Sequence, residues 1–182
     1  MSTITPDETI LGLLAAQPQH GYQLLEHFRD PAALGMVWNL STSQLYAVLK
    51  RLERQGSITG CAVAQENAPP RVEYTLTPTG YDHLMTWLDD PRPSGSIRRV
   101  RVEFLSRLYI ARLLNLPAAA IVSRQKTACQ TELNRFLDQR AQTQPGVGYL
   151  TLELLITHLN GILQWLDRCE MTPYDPDTEN RA

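Results

Sequence analysis

Between Ser41 and Ile58 the chain reads STSQLYAVLKRLERQGSI, and its chemically capable residues share one side of a helix. At about 100° per residue, Ser43, Ala47, Lys50 and Arg54 point away from Leu45, Val48, Leu49 and Leu52. Gln44 and Arg51 fall on one flank, and Thr42, Tyr46 and Glu53 on the other. Such a face does recognition chemistry. Ser43 and Gln44 can hydrogen-bond base edges, Ala47 can meet a thymine methyl, and Lys50 and Arg54 can neutralise phosphates. The Tyr46 hydroxyl can reach a phosphate oxygen. The same layout also describes a solvated face behind a leucine stripe, with Ser43 and Gln44 acting first as capping residues.

Other chemistries find little support. His20, His27 and His83 have no metal-ligand spacing with the cysteines. No nucleophile motif, phosphate loop or supported acid pair occurs, so neither catalysis nor a cofactor is expected. Cys61, Cys129 and Cys169 are odd in number and far apart. A reducing cytoplasm is therefore expected. Apolar runs are too short to span a membrane, and Met1 to Pro6 has no signal-peptide pattern. The 182 residues suit one large or two small domains. Charge is uneven: residues 1–90 carry five Lys/Arg and ten Asp/Glu, a net −5, and residues 91–182 carry twelve and nine, a net +3.

The elements that must position the recognition face are well punctuated. Thr5-Pro6-Asp7-Glu8 reads as a capping box opening a helix to about Ala16. Pro18 breaks the chain, and a second helix runs from Gly21 to Phe28. Pro31 to Asn39 is a connection offering Leu34, Met36 and Trp38 for packing. Ser41-Thr42-Ser43-Gln44 is a second capping box and Gly56 a helix stop, so the opening stretch is a third helix. SITGCAVAQ and RVEYTLT then alternate as strands, with Val72, Tyr74 and Leu76 facing inward and ENAPP as the turn. Thr77-Pro78 caps a fourth helix carrying Tyr81, Leu84, Met85, Trp87 and Leu88. Helix, helix, helix, hairpin, helix is the order of a winged helix-turn-helix, mainly α with a small β-hairpin. Arg71 lies near the tip of the wing.

Pro91 to Ser96, PRPSGS, reads as a linker between a domain at 1–90 and a helical domain at 97–170. The tail at 171–182 reads as disordered. Ile97 to Leu114 is apolar on most sides, which predicts burial on two fronts. A helix opening at Pro117 has a thin stripe at Val122, Cys129, Leu133 and Phe136. In the last helix Leu152, Leu155, Leu159, Ile162, Leu166 and Cys169 keep heptad spacing. That seam and the surplus apolar surface of the 97–114 helix predict dimerisation; packing within the chain is the other reading. His158, Gly161, Gln164 and Trp165 form a candidate effector pocket between subunits, or a packed tryptophan with a satisfied histidine. Arg98, Arg99 and Arg101 crowd a helix start where the dipole disfavours cations. They read either as partners for carboxylates or DNA phosphates or as a solvated basic turn.

LGLLAAQPQHGYQLLEHF, SQLYAVLKRLERQGSI, RVEYTLTPTG and Trp87 together resemble PadR-family transcriptional regulators over about Ile10 to Trp87. His20-Gly21-Tyr22, Tyr46, Leu49, Leu52, Gly56, Ile58, Tyr74, Thr77 and Gly80 carry the likeness. A looser one, through RVEFLSRLYIARLL to about Cys169, matches the long C-terminal domain of virulence-activator-like members. The resemblance implies a homodimer on roughly palindromic double-stranded DNA, acting as a repressor that a small effector or stress signal releases. It implies phosphate contacts from Tyr22 and Tyr46, Lys50 beside the groove, and Arg71 on the wing. With Thr42, Ser43, Gln44, Ala47 and Arg54 these make the expected DNA-binding set. The wing departs from the family pattern, with Glu66 and a single arginine. The alternative reading is a winged-helix module that binds another protein, for which the acidic first half speaks.

Overall fold

The computed structural model describes residues 4–65 and 68–171, and the chain divides into two compact units. The first is Met1–Asp90 together with Arg101–Ala118; the second is Pro91–Val100 together with Ala119–Ala182. Of the tail expected at 171–182, Met171 ends the last helix and 172–182 lie outside the described residues, as do the turn residues Glu66 and Asn67.

In the first unit the order is α1 (Asp7–Ala16), β1 (Gln19–His20), α2 (Gly21–Arg29), α3 (Thr42–Arg54), β2 (Ile58–Gln65), β3 (Ala68–Leu76) and α4 (Pro78–Leu88). This is the winged helix-turn-helix order, with β1 as an addition that the sequence pattern was too short to reveal. Local chemistry sets the boundaries. The Gln44 N–H donates to Ser41 Oγ and the Ser41 N–H to Gln44 Oε1, the reciprocal cap expected for α3. Gly56, at φ +73°, ends that helix in the left-handed region. Thr77 Oγ1 accepts the Gly80 N–H and donates to the Gly56 carbonyl, tying the start of α4 to the end of α3. Thr5 does not cap α1. Pro6 takes the cap position, and the Thr5 hydroxyl donates to Asp7 instead.

Ile10, Leu11, Leu13, Leu24, Leu34, Leu45, Leu49, Leu52, Ile58 and Leu84 are fully buried and form the core of this unit. The sheet is antiparallel in the order β1-β3-β2. Tyr74 pairs with Gln19 on one side and Gly60 on the other, and Arg71 pairs with Val63. Ala68-Pro69-Pro70 belong to β3 rather than to the expected turn. Of these adjacent prolines, one falls on the edge of β3 that β1 leaves open by ending opposite Glu73, and the other falls opposite the register break between Val63 and Gln65 of β2. Tyr74 points inward as expected, but Val72 is exposed because the wing outruns the core. In the 30–40 connection Leu34 is buried, Trp38 Nε1 donates to Ser106 Oγ at 2.8 Å, and Met36 is exposed.

The 97–114 helix departs most from expectation. It runs as α5 (Ile97–Arg99), a π-helical turn (Val100–Phe104) and α6 (Leu105–Leu113). Its part from Arg101 onward belongs to the first unit. A Cβ on Gly12 would lie 2.4 Å from Ile110 Cγ2, so glycine lets α1 and α6 close on each other. Phe104, Ser106, Ile110 and Ala111 are buried here. The surplus apolar surface read as a dimer face is thus largely absorbed within the chain. Arg107, a charged residue in this largely apolar stretch, is buried as well. Its Nε donates to the Trp87 carbonyl at 3.0 Å, a second nitrogen reaches Asp90 at 2.9 Å, and its guanidinium lies over the Trp87 ring. Removing one partner of such a pair strands a buried charge. Asp90→Ala is therefore expected to destabilise the first unit by roughly 3 kcal/mol, read as a lowered urea midpoint, with Arg107→Met in the same chain restoring most of it.

The second unit holds α5, α7 (Ala119–Ala141) and α8 (Val147–Met171). The last two form an antiparallel hairpin, pinned by Arg140–Glu153 at 2.7 Å and Lys126–Asp167 at 2.6 Å. Val122, Cys129 and Leu133 of α7 face Ile156, Leu159 and Leu166 of α8 in its buried core. Of the heptad seam, Leu159 and Leu166 are thus buried within the chain, and Leu152, Leu155, Ile162 and Cys169 are half-buried. Ser94 to Ser96 do not hang free as a linker: Gln125 Nε2 donates to the Ser94 carbonyl, and a Cβ on Gly95 would lie 2.5 Å from the Ala128 carbonyl. Small residues serve close approach to α7 there. Burial raises the pKa of the Cys129 thiol, holding it protonated.

Candidate nucleic-acid interface

On α3, Leu45, Val48, Leu49 and Leu52 are buried, and Thr42, Ser43, Gln44, Tyr46, Ala47, Lys50 and Arg54 are all exposed. The face expected from the helical angle is the face turned to solvent. The capping box engages Gln44 Oε1 and makes no use of its amide nitrogen, which keeps its donor capacity. Ser43 Oγ lies 3.4 Å from Ser41 Oγ. Ala47, midway along, keeps the backbone approachable.

The flanks have structural work. Arg51 pairs with Asp7 at the start of α1, so that cation is spoken for. Tyr46 lies across the first residue of α2, where a Cβ on Gly21 would sit 2.8 Å from its hydroxyl oxygen. Tyr22, the next residue, is 63% exposed at the same place. The two tyrosines expected to touch phosphate therefore occupy one corner, beside the start of α2. That start is closed by a cap the sequence reading missed: the His20 N–H donates to Gln23 Oε1 at 2.9 Å. The third flank residue, Glu53, accepts the Gly60 N–H at 3.1 Å. Tyr74, packed behind, has its pKa raised by burial first and then by Glu53 and Tyr46.

The charges sort themselves. Of the five Lys/Arg in residues 1–90, Arg29 pairs with Glu26 and Arg51 with Asp7. Lys50, Arg54 and Arg71 have no acidic partner among the described residues. All three belong to α3 or the wing, so the net acidity of this half leaves its free cations together on the two elements that would meet a polyanion.

In the second unit, His158, Gly161 and Gln164 are exposed and Trp165 is half-buried. A Cβ on Gly161 would meet nothing within 4 Å. These residues continue an outward stripe along α8 through Val147, Leu150 and Leu154, which are 82%, 66% and 55% exposed. Arg98 and Arg101 are exposed, and Arg99 is partly covered. Among the described residues no group of His, Cys, Asp and Glu is placed to hold a metal ion, and no helix is long and apolar enough to cross a membrane.

Comparison with known proteins gives two family matches that together take in most of the chain. Residues 10–86 match the transcriptional regulator PadR-like family, and residues 100–172 match the virulence activator alpha C-terminal domain. A negative transcriptional regulator, PadR of Bacillus subtilis, is 32% identical over 111 residues, 61% of this chain and 59% of that protein. A probable transcriptional regulator of Mycobacterium tuberculosis, Rv1176c, is 27% identical over 82 residues, 45% of this chain and 42% of that protein. The chain thus spans less than two thirds of the length of either curated relative. The crystal structure of Bacillus subtilis PadR in complex with operator DNA overlaps 94% of this chain and 99% of that one, at 24% identity and a TM-score of 0.48.

Proposed function

We propose, for a chain that belongs to the PadR-like family of transcriptional regulators, that it binds double-stranded DNA by laying α3 in the major groove with the wing on the adjoining backbone. The observation that carries this reading is the pooling of the free cations of residues 1–90 on α3 and the wing. Thr42, Ser43, Gln44 and Ala47 would meet base edges, where a small side chain allows close approach and hydroxyl and amide groups supply directional hydrogen bonds. Lys50, Arg54 and Arg71 would neutralise phosphates, and Tyr22 and Tyr46 would donate hydroxyl hydrogen bonds to phosphate oxygens.

The regulator acts as a homodimer on a roughly palindromic operator, because two copies related by a twofold axis read two equivalent half-sites. The outward stripe of α8 supports pairing through that helix: Val147, Leu150 and Leu154 are large apolar side chains in water. Gly161 would let a second backbone come close. His158, Gln164 and Trp165 then border the covered face and are the candidate wall of an effector site. Repression follows the description of the Bacillus relative as a negative regulator, and release by a small effector is a further part of the proposal.

Few phosphates are contacted in this scheme. Three cations per protomer give a dimer a log–log salt slope of about −5. Lys50→Ala should flatten it by about 2, since each dimer loses two contacts. The test is enrichment of duplexes from a random pool at low salt, followed by anisotropy titrations at increasing salt. A recovered palindrome with that slope supports the reading. No enrichment at any salt would favour a protein partner for the wing.

A further inference from the structure

Glu53 poses a problem for the reading above. It is an exposed carboxylate on the reader helix, next to Arg54 and on a surface that would meet phosphates. Charge alone disfavours it there. Its geometry supplies a reason. β2 is an edge strand, so its outward backbone groups lack a strand partner. One of them, the Gly60 N–H, donates to Glu53 Oε1 at 3.1 Å. A Cβ on Gly60 would stand 3.0 Å from that same oxygen and 2.9 Å from Val72 Cγ1, so the strand passes close because residue 60 is glycine. Tyr46, seven residues earlier on the same flank, is received by Gly21 in the same way. The flank of α3 is thus keyed into two glycines, one at the start of α2 and one at the base of the wing.

We infer that Glu53 is a positioning residue for the wing. By taking the Gly60 amide it fixes β2 against α3, so that Arg71, roughly 10 Å further out at about 3.4 Å per residue, is presented to a phosphate. Gly60 pairs with Tyr74, and three residues on Val63 pairs with Arg71, so the clamp and the cation share one two-stranded ladder. A ribbon of two strands is weakly stable by itself, which makes an anchor at its base consequential. The inference rests on the DNA-binding reading of α3 and the wing.

The decisive feature is a sign. If Glu53 mattered only as a charge, both Glu53→Gln and Glu53→Ala would tighten DNA binding. A clamp separates them: glutamine keeps an acceptor for Gly60 and alanine does not. On a duplex enriched by the wild type, Glu53→Gln should bind at least as tightly as wild type. Glu53→Ala should bind more weakly, with a salt slope flatter by about 2, matching Arg71→Ala. The double variant Glu53→Ala/Arg71→Ala should flatten no further. Amide hydrogen exchange reads the clamp without DNA: Gly60 should exchange about five- to tenfold faster in Glu53→Ala, the effect of one lost hydrogen bond. Equal binding of the alanine and glutamine variants, additive slopes in the double variant, or unchanged Gly60 exchange would each overturn the inference. Failure of the wild type to enrich any duplex would instead bring down the DNA reading itself, and this inference with it.

Discussion

Gly80→Ala is expected to leave the first unit largely unfolded at urea concentrations where the wild type is intact. A Cβ on Gly80 would stand 2.0 Å from the Ser57 carbonyl oxygen and 2.7 Å from Leu76 Cδ1. The first contact is with backbone, so no rotamer change relieves it. Nor can the carbonyl swing away freely, because it accepts the Thr77 N–H at 3.1 Å. Thr77 in turn caps α4 and holds the Gly56 carbonyl at 2.7 Å. Making room for one methyl therefore means separating α4 from the end of α3 and from the base of the wing. Overpacking in a close-packed core costs about 1–3 kcal/mol, and a backbone clash belongs at or above the top of that range. Against a total stability of about 5–15 kcal/mol this is a large fraction. The check is the urea midpoint followed by circular dichroism; a midpoint within error of wild type would mean that α4 slides aside at little cost.

Ala47→Glu is expected to do the opposite: leave the fold intact and abolish specific DNA binding. Ala47 is exposed on the outward line of α3, between Ser43 and Lys50, and touches none of the buried leucines' side of the helix. Glutamate is a good helix former, so unfolding midpoints should move little. In the groove, however, it would place a longer, charged side chain where close approach is needed and oppose the phosphates that Lys50 and Arg54 attract. Specific binding should fall to the nonspecific level, a loss of roughly a thousandfold or more. Anisotropy on the enriched duplex measures this, and retention of affinity within tenfold would remove α3 from the groove.

What was legible in the chain was whatever depended on short-range rules. The Ser41–Gln44 box, the Thr77 cap and the Gly56 stop each need only a few neighbouring residues, and each appears as read. The outward face of α3 was legible for the same reason, since helical angle and a leucine stripe decide it. Partnerships across the sequence were not. Nothing local marks Glu53 as the acceptor for Gly60, Arg51 as the partner of Asp7, or Arg107 as buried against Trp87 and Asp90. The seam of α8 left a specific question open: heptad spacing states that a face will be covered, but not by which chain. Ile97 to Leu114 misled, because an all-round apolar helix does not say that α1 will close on it at Gly12. Thr5-Pro6 failed by one residue, a displacement to which a cap assigned from residue types is always open.

The two units alternate along the chain: 1–90, then 91–100, then 101–118, then the rest. During synthesis the first unit cannot finish when Asp90 leaves the ribosome, since Gly12 still lacks Ile110 and Trp87 still lacks Arg107. It waits, with part of its core open, until Ala118 has emerged. A nascent chain stalled in that interval would be a client for chaperones rather than a working half-protein. For the same reason, a truncation at the proline-rich segment after Asp90 is expected to yield a first unit with a lowered urea midpoint rather than a self-sufficient winged helix.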